Sequence, residues 1–173
     1  TGRMPIPPET DRLAFREWTT ADLDEFHAIC CDPQAMQFVA DGAPWGRERT
    51  GQFLDRNFAA AADLGFCLWT LIDTTDDRLI GYCGFIDSDS APEIGWRLAP
   101  EYWGRGLATE GARQVVRFGF DSLGFDRIIA TVQSANLASL RVVEKLGMRR
   151  IETYERHGRE VLLFELTKSD SVA

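Results

Sequence analysis

Histidine, positive charge and long apolar runs are all scarce in this chain of 173 residues. It has 2 His, and its cysteines form no C-x-x-C pair, so the usual ligand set of a zinc site does not assemble. Lys and Arg number 19 against 27 Asp and Glu, and the resulting net charge of −8 argues against a nucleic-acid partner. No apolar run approaches the roughly 20 residues of a membrane-spanning helix. We therefore expect no metal, no nucleic acid and no membrane association.

The four cysteines are Cys30, Cys31, Cys67 and Cys83. Without a pairing pattern we expect reduced and mostly buried thiols, which indicates a reducing compartment, the cytoplasm. No signal peptide is visible, and residues 1–3 ahead of Met4 resemble a cloning remnant, so we expect Met4 to be the natural start. The negative net charge serves solubility in the first place, and it also suits a cationic substrate such as an amine.

The apolar fraction of 45% and the chain length are those of one globular domain, which we expect to span 4–173. Alternating and helically spaced apolar residues predict the order β-α-α-β-β-β-α-β-α-β-β. Hairpins dominate and helices are inserted between them, which is typical of an α+β fold with a mixed, mostly antiparallel sheet. The predicted strands are 13–18, 66–72, 79–86, 93–98, 127–132, 148–154 and 161–166. The predicted helices run from a cap at Thr19 or Thr20 to 32, from 47 to 63, from the segment 104–108 to about 123, and from 137 to 146.

Residues 93–110 carry the chemically most informative pattern: a strand, a tight loop with Gly104 and Gly106, and the start of a helix. Backbone N–H groups at a helix N-terminus have no intrahelical partner, and the helix dipole makes that end positive. Such a loop can bind a phosphate or pyrophosphate, although two glycines after a strand are more often a simple turn. The spacing fits neither a P-loop nor a dinucleotide-binding loop.

Residues 103–108 resemble the coenzyme A loop of the GNAT acetyltransferases, whose pattern is Q/R-x-x-G-x-G/A. Residues 136–139 and 144–148 resemble the second conserved block of that family, N-x-x-S/A followed by E-K-x-G-F, and residues 10–13 and 79–82 also fit. The resemblance covers nearly the whole chain and is closest to the branch that acetylates the N-termini of ribosomal proteins. It implies a sheet that splays in the middle, helices on both faces, acetyl-CoA as co-substrate, an amine acceptor and, by analogy, a homodimer.

The resemblance also implies which residues hold the cofactor. Backbone N–H groups of the loop would bind the phosphates, and the strand before it would pair with the pantetheine arm. Asn136 is also well suited to cap a helix, and Arg105 could simply be a surface arginine. The predicted cofactor-binding residues are Trp96, Arg97, Leu98, Trp103, Gly104, Arg105, Gly106, Leu107, Ala108, Thr109, Asn136 and Ser139.

Three residues are the candidates for catalysis. The resemblance implies Glu93 as general base, at the start of the strand that carries the thioester, unless it is only an exposed strand-start glutamate. It implies the backbone N–H of Trp96 as oxyanion donor, the alternative being ordinary sheet pairing. The tyrosine that many relatives use as general acid is replaced by Val143, and we expect Ser139 to protonate the thiolate instead.

The acceptor side would be built from the first two helices, the loop between them and the last hairpin. Phe38, Trp45 and His157 are the candidate substrate contacts, although the aromatic residues could equally be core and His157 a solvated turn residue. A peptide N-terminus would need an open groove between that loop and the hairpin, whereas a small amine would need a closed pocket. The competing hypotheses are a non-catalytic acyl-CoA-binding module, which Val143 favours, and a plain interaction domain.

Overall fold

The computed structural model describes residues 4–171, so the expected cloning remnant at residues 1–3 lies outside the described residues. Seven strands form one sheet in the order β1-β2-β3-β4-β5-β7-β6. The sheet is mixed and open, which confirms the predicted fold class. The strands are β1 (Leu13–Arg16), β2 (Leu68–Asp73), β3 (Arg78–Ile86), β4 (Glu93–Leu98), β5 (Arg127–Gln133), β6 (Arg149–Arg156) and β7 (Arg159–Thr167). The helices are α1 (Leu23–Cys30), α2 (Pro33–Met36), α3 (Arg47–Leu64), α4 (Leu107–Asp121), α5 (Leu137–Lys145) and α6 (Lys168–Ser171).

The sheet splays between its two parallel neighbours, β4 and β5. All other neighbouring strands are antiparallel and pair along their length, but β4 and β5 share the single register pair Glu93↔Ile129. The Ile129 N–H donates to the Pro92 carbonyl at that point, 3.0 Å away. Beyond it the two strands separate, and a gap opens between their C-terminal ends.

Helices cover both faces of the sheet. Arg97 on β4 contacts Phe26 of α1 and Met36 of α2, whereas the neighbouring Trp96 contacts Ser139 of α5. Because successive strand residues point to opposite faces, α1–α3 lie on one face and α4 and α5 on the other. We call these the α1 face and the α4 face. The buried apolar side chains of both faces form one cluster with the sheet.

The loop between α1 and α3 differs most from prediction. We expected Asp32 and Pro33 to end the first helix, and instead they begin a new one, α2. The Asp32 carboxylate accepts hydrogen bonds from the N–H groups of Gln34 and Ala35, and Pro33 occupies the first turn. An Asp cap followed by Pro is a helix-start signal as well as a stop signal, and here the start prevails.

All four cysteines are free thiols, with Cys30, Cys67 and Cys83 buried and Cys31 exposed. Between residues 4 and 171, no helix is long and apolar enough to cross a membrane. The same residues contain no group of three or more His, Cys, Asp or Glu side chains that could hold a metal ion.

Candidate active site

The glycine loop enters α4 as the sequence predicts. Gly104 and Gly106 both have φ of +76°, in the left-handed region that glycine adopts without strain, and Gly106 is the N-cap residue of α4. The first hydrogen bond of the helix runs from the Glu110 N–H to the Gly106 carbonyl. The N–H groups of Leu107, Ala108 and Thr109 therefore need acceptors from outside the helix, which is the arrangement that binds phosphate.

Arg12, just before β1, holds this loop in place through a hydrogen bond and an ion pair. Its guanidinium donates to the Arg105 carbonyl at 2.8 Å and pairs with the Glu110 carboxylate at 2.7 Å. Glu110 also accepts from the Thr10 hydroxyl, and these hydrogen bonds hold its pKa below the ordinary value, even though partial burial opposes the shift. The loop is thus fixed by a contact between residues almost one hundred positions apart.

A basic cleft of about 510 Å³ continues from the loop along the exposed side of α4. Most charged side chains that line this cleft are cationic, although the chain as a whole has a net charge of −8. Neither this cleft nor a second one of about 580 Å³, between the N-terminal segment and α3, contains Glu93 or Trp96. The first cleft is lined by Thr10, Arg12, Gly106, Thr109, Glu110, Arg113, Gln114, Arg117 and Lys145.

Two loop side chains are held against the protein. The guanidinium of Arg105 lies 5.2 Å from the ring centre of Tyr102 and donates to the Glu101 carbonyl. The indole of Trp103 is partly exposed and donates to the Leu98 carbonyl at 2.9 Å. Trp103 thus tethers the loop to the end of β4, a role that its position in the phosphate-loop pattern does not indicate.

The edge of β4 that faces the gap carries free backbone groups. Ala99 donates to Ile80 in the same register that pairs β3 with β4. Hydrogen-bonded and non-hydrogen-bonded pairs alternate in an antiparallel ladder, so the N–H groups of Trp96 and Leu98, which lie beyond the Glu93↔Ile129 pair, point away from β3 and into the gap. This is the geometry expected of an oxyanion donor at Trp96 and of a strand edge that pairs with an extended ligand.

Ser139 and Asn136 lie on the α4 face of the gap. The indole N–H of Trp96 donates to the Ser139 hydroxyl oxygen at 3.2 Å, which leaves the Ser139 proton free to be donated elsewhere. The Asn136 side chain accepts from the Ser139 N–H, so Asn136 caps α5. Val143 is 1% exposed and belongs to the core, so it contributes nothing to the gap.

Glu93 lies on the α1 face, where β4 and β5 meet. Its carboxylate accepts a hydrogen bond from the Thr131 hydroxyl at 3.4 Å. Burial raises the pKa of Glu93 above its ordinary value, against the opposing effects of Thr131 and the nearby Arg156 charge. Burial also raises the pKa of Tyr154, on β6, and the Glu93 charge adds to that rise. A carboxyl with a raised pKa is better matched to proton abstraction near neutral pH.

The three predicted substrate contacts have different environments. Phe38 is half-buried in the loop after α2. Trp45 is buried at 7% exposure, in a cluster with Phe53 and Arg97. His157 is exposed in the tight β6–β7 turn, with φ of +54° beside Gly158. Trp45 therefore packs in the core next to the site, and direct contact of these residues with a substrate stays a prediction.

Sequence reasoning missed a segment that crosses the gap on the α1 face, residues 37–42, which we call the strap. It begins next to Met36, whose sulfur contacts Arg97 near the end of β4. Arg159 donates to the carbonyls of Gln37 and Asp41 at 2.8 and 3.0 Å, and also to the Gln133 side chain. Gln133, at the end of β5, donates to the Ala40 carbonyl. The strap therefore joins the end of β4 to the ends of β5 and the hairpin. Only a fold-level pairing of distant segments reveals it.

Comparison with known proteins gives this arrangement a family. The sequence profile of the acetyltransferase (GNAT) domain matches residues 12–149. The chain belongs to the GNAT acetyltransferase family. An uncharacterised N-acetyltransferase of Bacillus subtilis (strain 168), YnaD, is 32% identical over 143 residues, which cover 82% of this chain and 81% of YnaD. The enzyme class predicted from the sequence, an acetyltransferase, is thereby confirmed.

Solved GNAT structures share the whole fold. A GNAT acetyltransferase from Bacillus anthracis superposes with a TM-score of 0.84 at 27% identity, covering 95% of this chain and 99% of that one. RimL, a ribosomal L7/L12 alpha-N-protein acetyltransferase solved with coenzyme A, superposes with a TM-score of 0.82, covering 96% and 99%. At 15% identity, RimL shows the fold alone.

Acetyl-CoA is the co-substrate of the GNAT family, and the residues present fit it. The unpaired N–H groups at the start of α4 suit its pyrophosphate, and the free edge of β4 suits an extended arm with amide groups. Direct contact of each predicted cofactor residue with acetyl-CoA stays a prediction.

Proposed function

We propose that this protein transfers an acetyl group from acetyl-CoA to a primary amine, by direct attack of the amine on the thioester. The observation that carries the proposal is the free edge of β4, which has Glu93 on one face of the gap and Ser139 on the other. A base and a proton donor on opposite sides of one strand edge suit a reaction that removes a proton from the nucleophile and returns one to the leaving group.

Glu93 would make the amine neutral. An α-amino group has a pKa of about 8 and a lysine of about 10.4, so most of the amine arrives as ammonium at neutral pH. A carboxylate with a raised pKa accepts a proton more readily than an ordinary glutamate, directly or through one water. Thr131 orients one carboxylate oxygen through its hydroxyl.

Trp96 would stabilise the negative charge on the oxygen that develops during attack. Its N–H points into the gap and is fixed by the β3–β4 ladder, so it needs no reorganisation, and a fixed donor of this kind contributes roughly 3 kcal/mol to lowering a barrier. Bound acetyl-CoA supplies the activated acetyl thioester. Ser139, whose oxygen already accepts from the Trp96 indole, would donate its own proton to the departing sulfur.

Acetyl-CoA-dependent release of free thiol, followed over a panel of amines and peptides, tests the proposal. Glu93→Gln should lower kcat by about 10²- to 10⁴-fold, as expected for loss of a general base. It should leave acetyl-CoA binding, measured by thermal shift and calorimetry, unchanged. Glu48→Gln on the exposed start of α3 is the matched control and should have the wild-type rate.

A non-catalytic acyl-CoA-binding module is the second candidate, because Val143 leaves the usual acid position apolar. It predicts stabilisation by acetyl-CoA with no thiol release on any amine. Wild-type rates for Glu93→Gln would remove Glu93 from the mechanism, and absence of acetyl-CoA binding would overturn the proposed function altogether. Homodimerisation and a cytoplasmic location remain part of the proposal, the latter supported by four free thiols.

A further inference from the structure

Arg97 is a buried guanidinium whose hydrogen-bond partners, among residues 4–171, are two sulfur atoms. It is 6% exposed, and it donates to Met36 at 3.3 Å and to Cys30 at 3.6 Å. The rings of Trp45 and Tyr82 lie 4.6 and 5.0 Å from its Cζ atom. Its Nε–H is buried without an acceptor, and no carboxylate of the described chain pairs with it. An unpaired buried charge is unfavourable, so this position calls for an anion.

Trp45 adds a second unused donor to the same cluster. Its indole Nε1–H is buried and has no acceptor in the described structure. Trp69 Nε1 also lacks a partner, but it lies with Phe85 and Phe118 and no cation accompanies it. Two orphan donors and a full positive charge in one cluster are what a carboxylate would satisfy with charge-assisted hydrogen bonds.

The position of Arg97 links this anion site to the reaction. Glu93, Gly95 and Arg97 are successive residues on the α1 face of β4, so Glu93 and Arg97 lie roughly 13 Å apart along the strand. Gly95 is half-exposed and has no side chain of its own, and the Leu68 side chain lies 3.4 Å from where its Cβ would be, so a ligand there would lie beside Leu68. A small molecule lying over Gly95 can therefore present an amine at the Glu93 end and an anion at the Arg97 end.

The strap limits the size of that molecule, and the nearby guanidinium groups limit the charge that it can carry. The strap runs from Met36, which contacts Arg97 on β4, to Arg159 and Gln133 at the start of β7 and the end of β5, and so spans the groove that a protein N-terminus would need. Arg156 lies near Glu93, so Arg97, Arg156 and Arg159 place three guanidinium groups around the proposed acceptor position, with the Glu93 and Glu152 carboxylates near Tyr154. A polyamine would bring further positive charge to that position.

We propose that the acceptor is a small primary amine that also carries an anionic group, a carboxylate in the simplest case, which binds Arg97 and Trp45 while the amine lies at Glu93. This inference rests on the proposed acetyl transfer and names its substrate class.

Matched acceptors test the charge. Linear ω-amino carboxylates, n-alkylamines and α,ω-diamines of equal chain length are compared in the thiol-release assay. Hydrogen bonds to a charged group contribute enough that the best amino carboxylate should exceed its alkylamine by about 10- to 150-fold in kcat/KM. The diamines should be the poorest series.

Variants then locate the anion site. In Arg97→Met the ratio of kcat/KM between amino carboxylate and alkylamine should fall to near unity, whatever happens to the absolute rates. Trp45→Phe keeps an aromatic ring at this position but removes the indole N–H together with the five-membered ring that carries it, so the ratio should fall several-fold, and this variant decides the matter should Arg97→Met not fold. Arg49→Met is the control, because Arg49 stacks on the same Trp45 ring from the exposed side, 4.9 Å from its centre. Its ratio should be that of the wild type.

The outcomes separate the two proposals. Turnover that favours diamines or peptides, or a ratio that neither variant changes, overturns the anionic acceptor and leaves acetyl transfer intact. A second outcome is that no amine turns over, but amino carboxylates raise the Tm of the wild type and not that of Trp45→Phe. That outcome supports the anion site and overturns acetyl transfer. Neither turnover nor stabilisation overturns both.

Discussion

The two halves of the site are built in different ways. The proposed phosphate half would use backbone N–H groups from the consecutive residues 104–109, whereas the proposed acceptor half would use side chains from β4, β5 and the β6–β7 hairpin, which also hold the strap by its carbonyls. A backbone site depends on φ and on the room for a ligand to approach, and is indifferent to most side chains. A side-chain site depends on the folded arrangement of segments that are far apart in sequence. Binding at the backbone site should weaken when a glycine loses its conformational freedom. Binding at the side-chain site should weaken when one long side chain is removed.

The largest expected effect tests the backbone half. Gly106→Ala places a Cβ where the phosphate must approach the loop, and losing one charge-assisted hydrogen bond should weaken acetyl-CoA binding by about 10- to 100-fold. Gly124→Ala is the matched control, because Gly124 has φ of +74° against +76° for Gly106 and lies away from the loop. Each alanine in the left-handed region should cost about 1–2 kcal/mol of stability. Calorimetric titration with acetyl-CoA measures the difference.

Neither glycine has a clashing neighbour. A Cβ at Gly106 would approach the Arg12 guanidinium no closer than 3.7 Å, and one at Gly124 would meet nothing within 4 Å. Stability should therefore fall equally in the two variants. Equal affinity for acetyl-CoA in both would show that the loop does not hold the cofactor through its backbone.

The same difference explains what could be predicted from sequence. The loop, the strand before it and α4 lie in one run of residues, so local pattern and spacing suffice to predict them, and β4 was predicted with its observed bounds. The splay of the sheet came from the family resemblance. For Asn136 the sequence left two roles open, a cofactor contact and a helix cap. The structure shows the cap, and the cofactor contact stays a prediction.

The strap could not be predicted, because its contacts join residues separated by more than ninety positions. Arg159 reaches Gln37 and Asp41 across 122 and 118 residues, and Gln133 reaches Ala40 across 93. Nothing in the local sequence of any one of these segments indicates the others. Trp45 shows the same difficulty, since an aromatic residue beside a loop can be core or substrate contact. Here it is buried with its ring face against the Arg97 guanidinium and its indole N–H unused.

A smaller effect is expected where the acceptor half is opened. Arg159→Gln removes donors to two strap carbonyls and to Gln133, so the KM of the amine should rise about 3- to 10-fold, a size typical of a lost hydrogen bond. Acetyl-CoA affinity should stay that of the wild type, because the phosphate loop is untouched. Steady-state kinetics in the amine and titration with acetyl-CoA measure the two quantities separately.

Arg149→Gln is the control for this variant. Arg149 is an exposed arginine on β6 that pairs with Glu165, which keeps Arg127 as a second partner. It should leave the KM of the amine unchanged. A loss of acetyl-CoA affinity in Arg159→Gln would show that the two halves are coupled and that the comparison does not hold.

The smallest expected effect is on folding stability, which is lowered because the Glu93 carboxylate is buried. Because the folded-state pKa of Glu93 is raised, the folded protein binds this proton more tightly than the unfolded chain does. Stability is therefore fully retained below the unfolded pKa of about 4.3 and is partly lost as the pH rises through the folded pKa. Glu93→Gln should have a slightly higher Tm than the wild type at pH 7, and the difference should vanish near pH 4, while activity is lost.

Thr131→Val sharpens this last point without removing the carboxylate. The Thr131 hydrogen bond lowers the pKa of Glu93, so its loss should raise that pKa further and move the acid limb of the kcat/KM profile to higher pH. The Tm difference between this variant and the wild type should likewise widen above pH 4. If the acid limb of the kcat/KM profile lies at the same pH in Thr131→Val as in the wild type, a group other than Glu93 governs the profile. Glu93 is then not the general base.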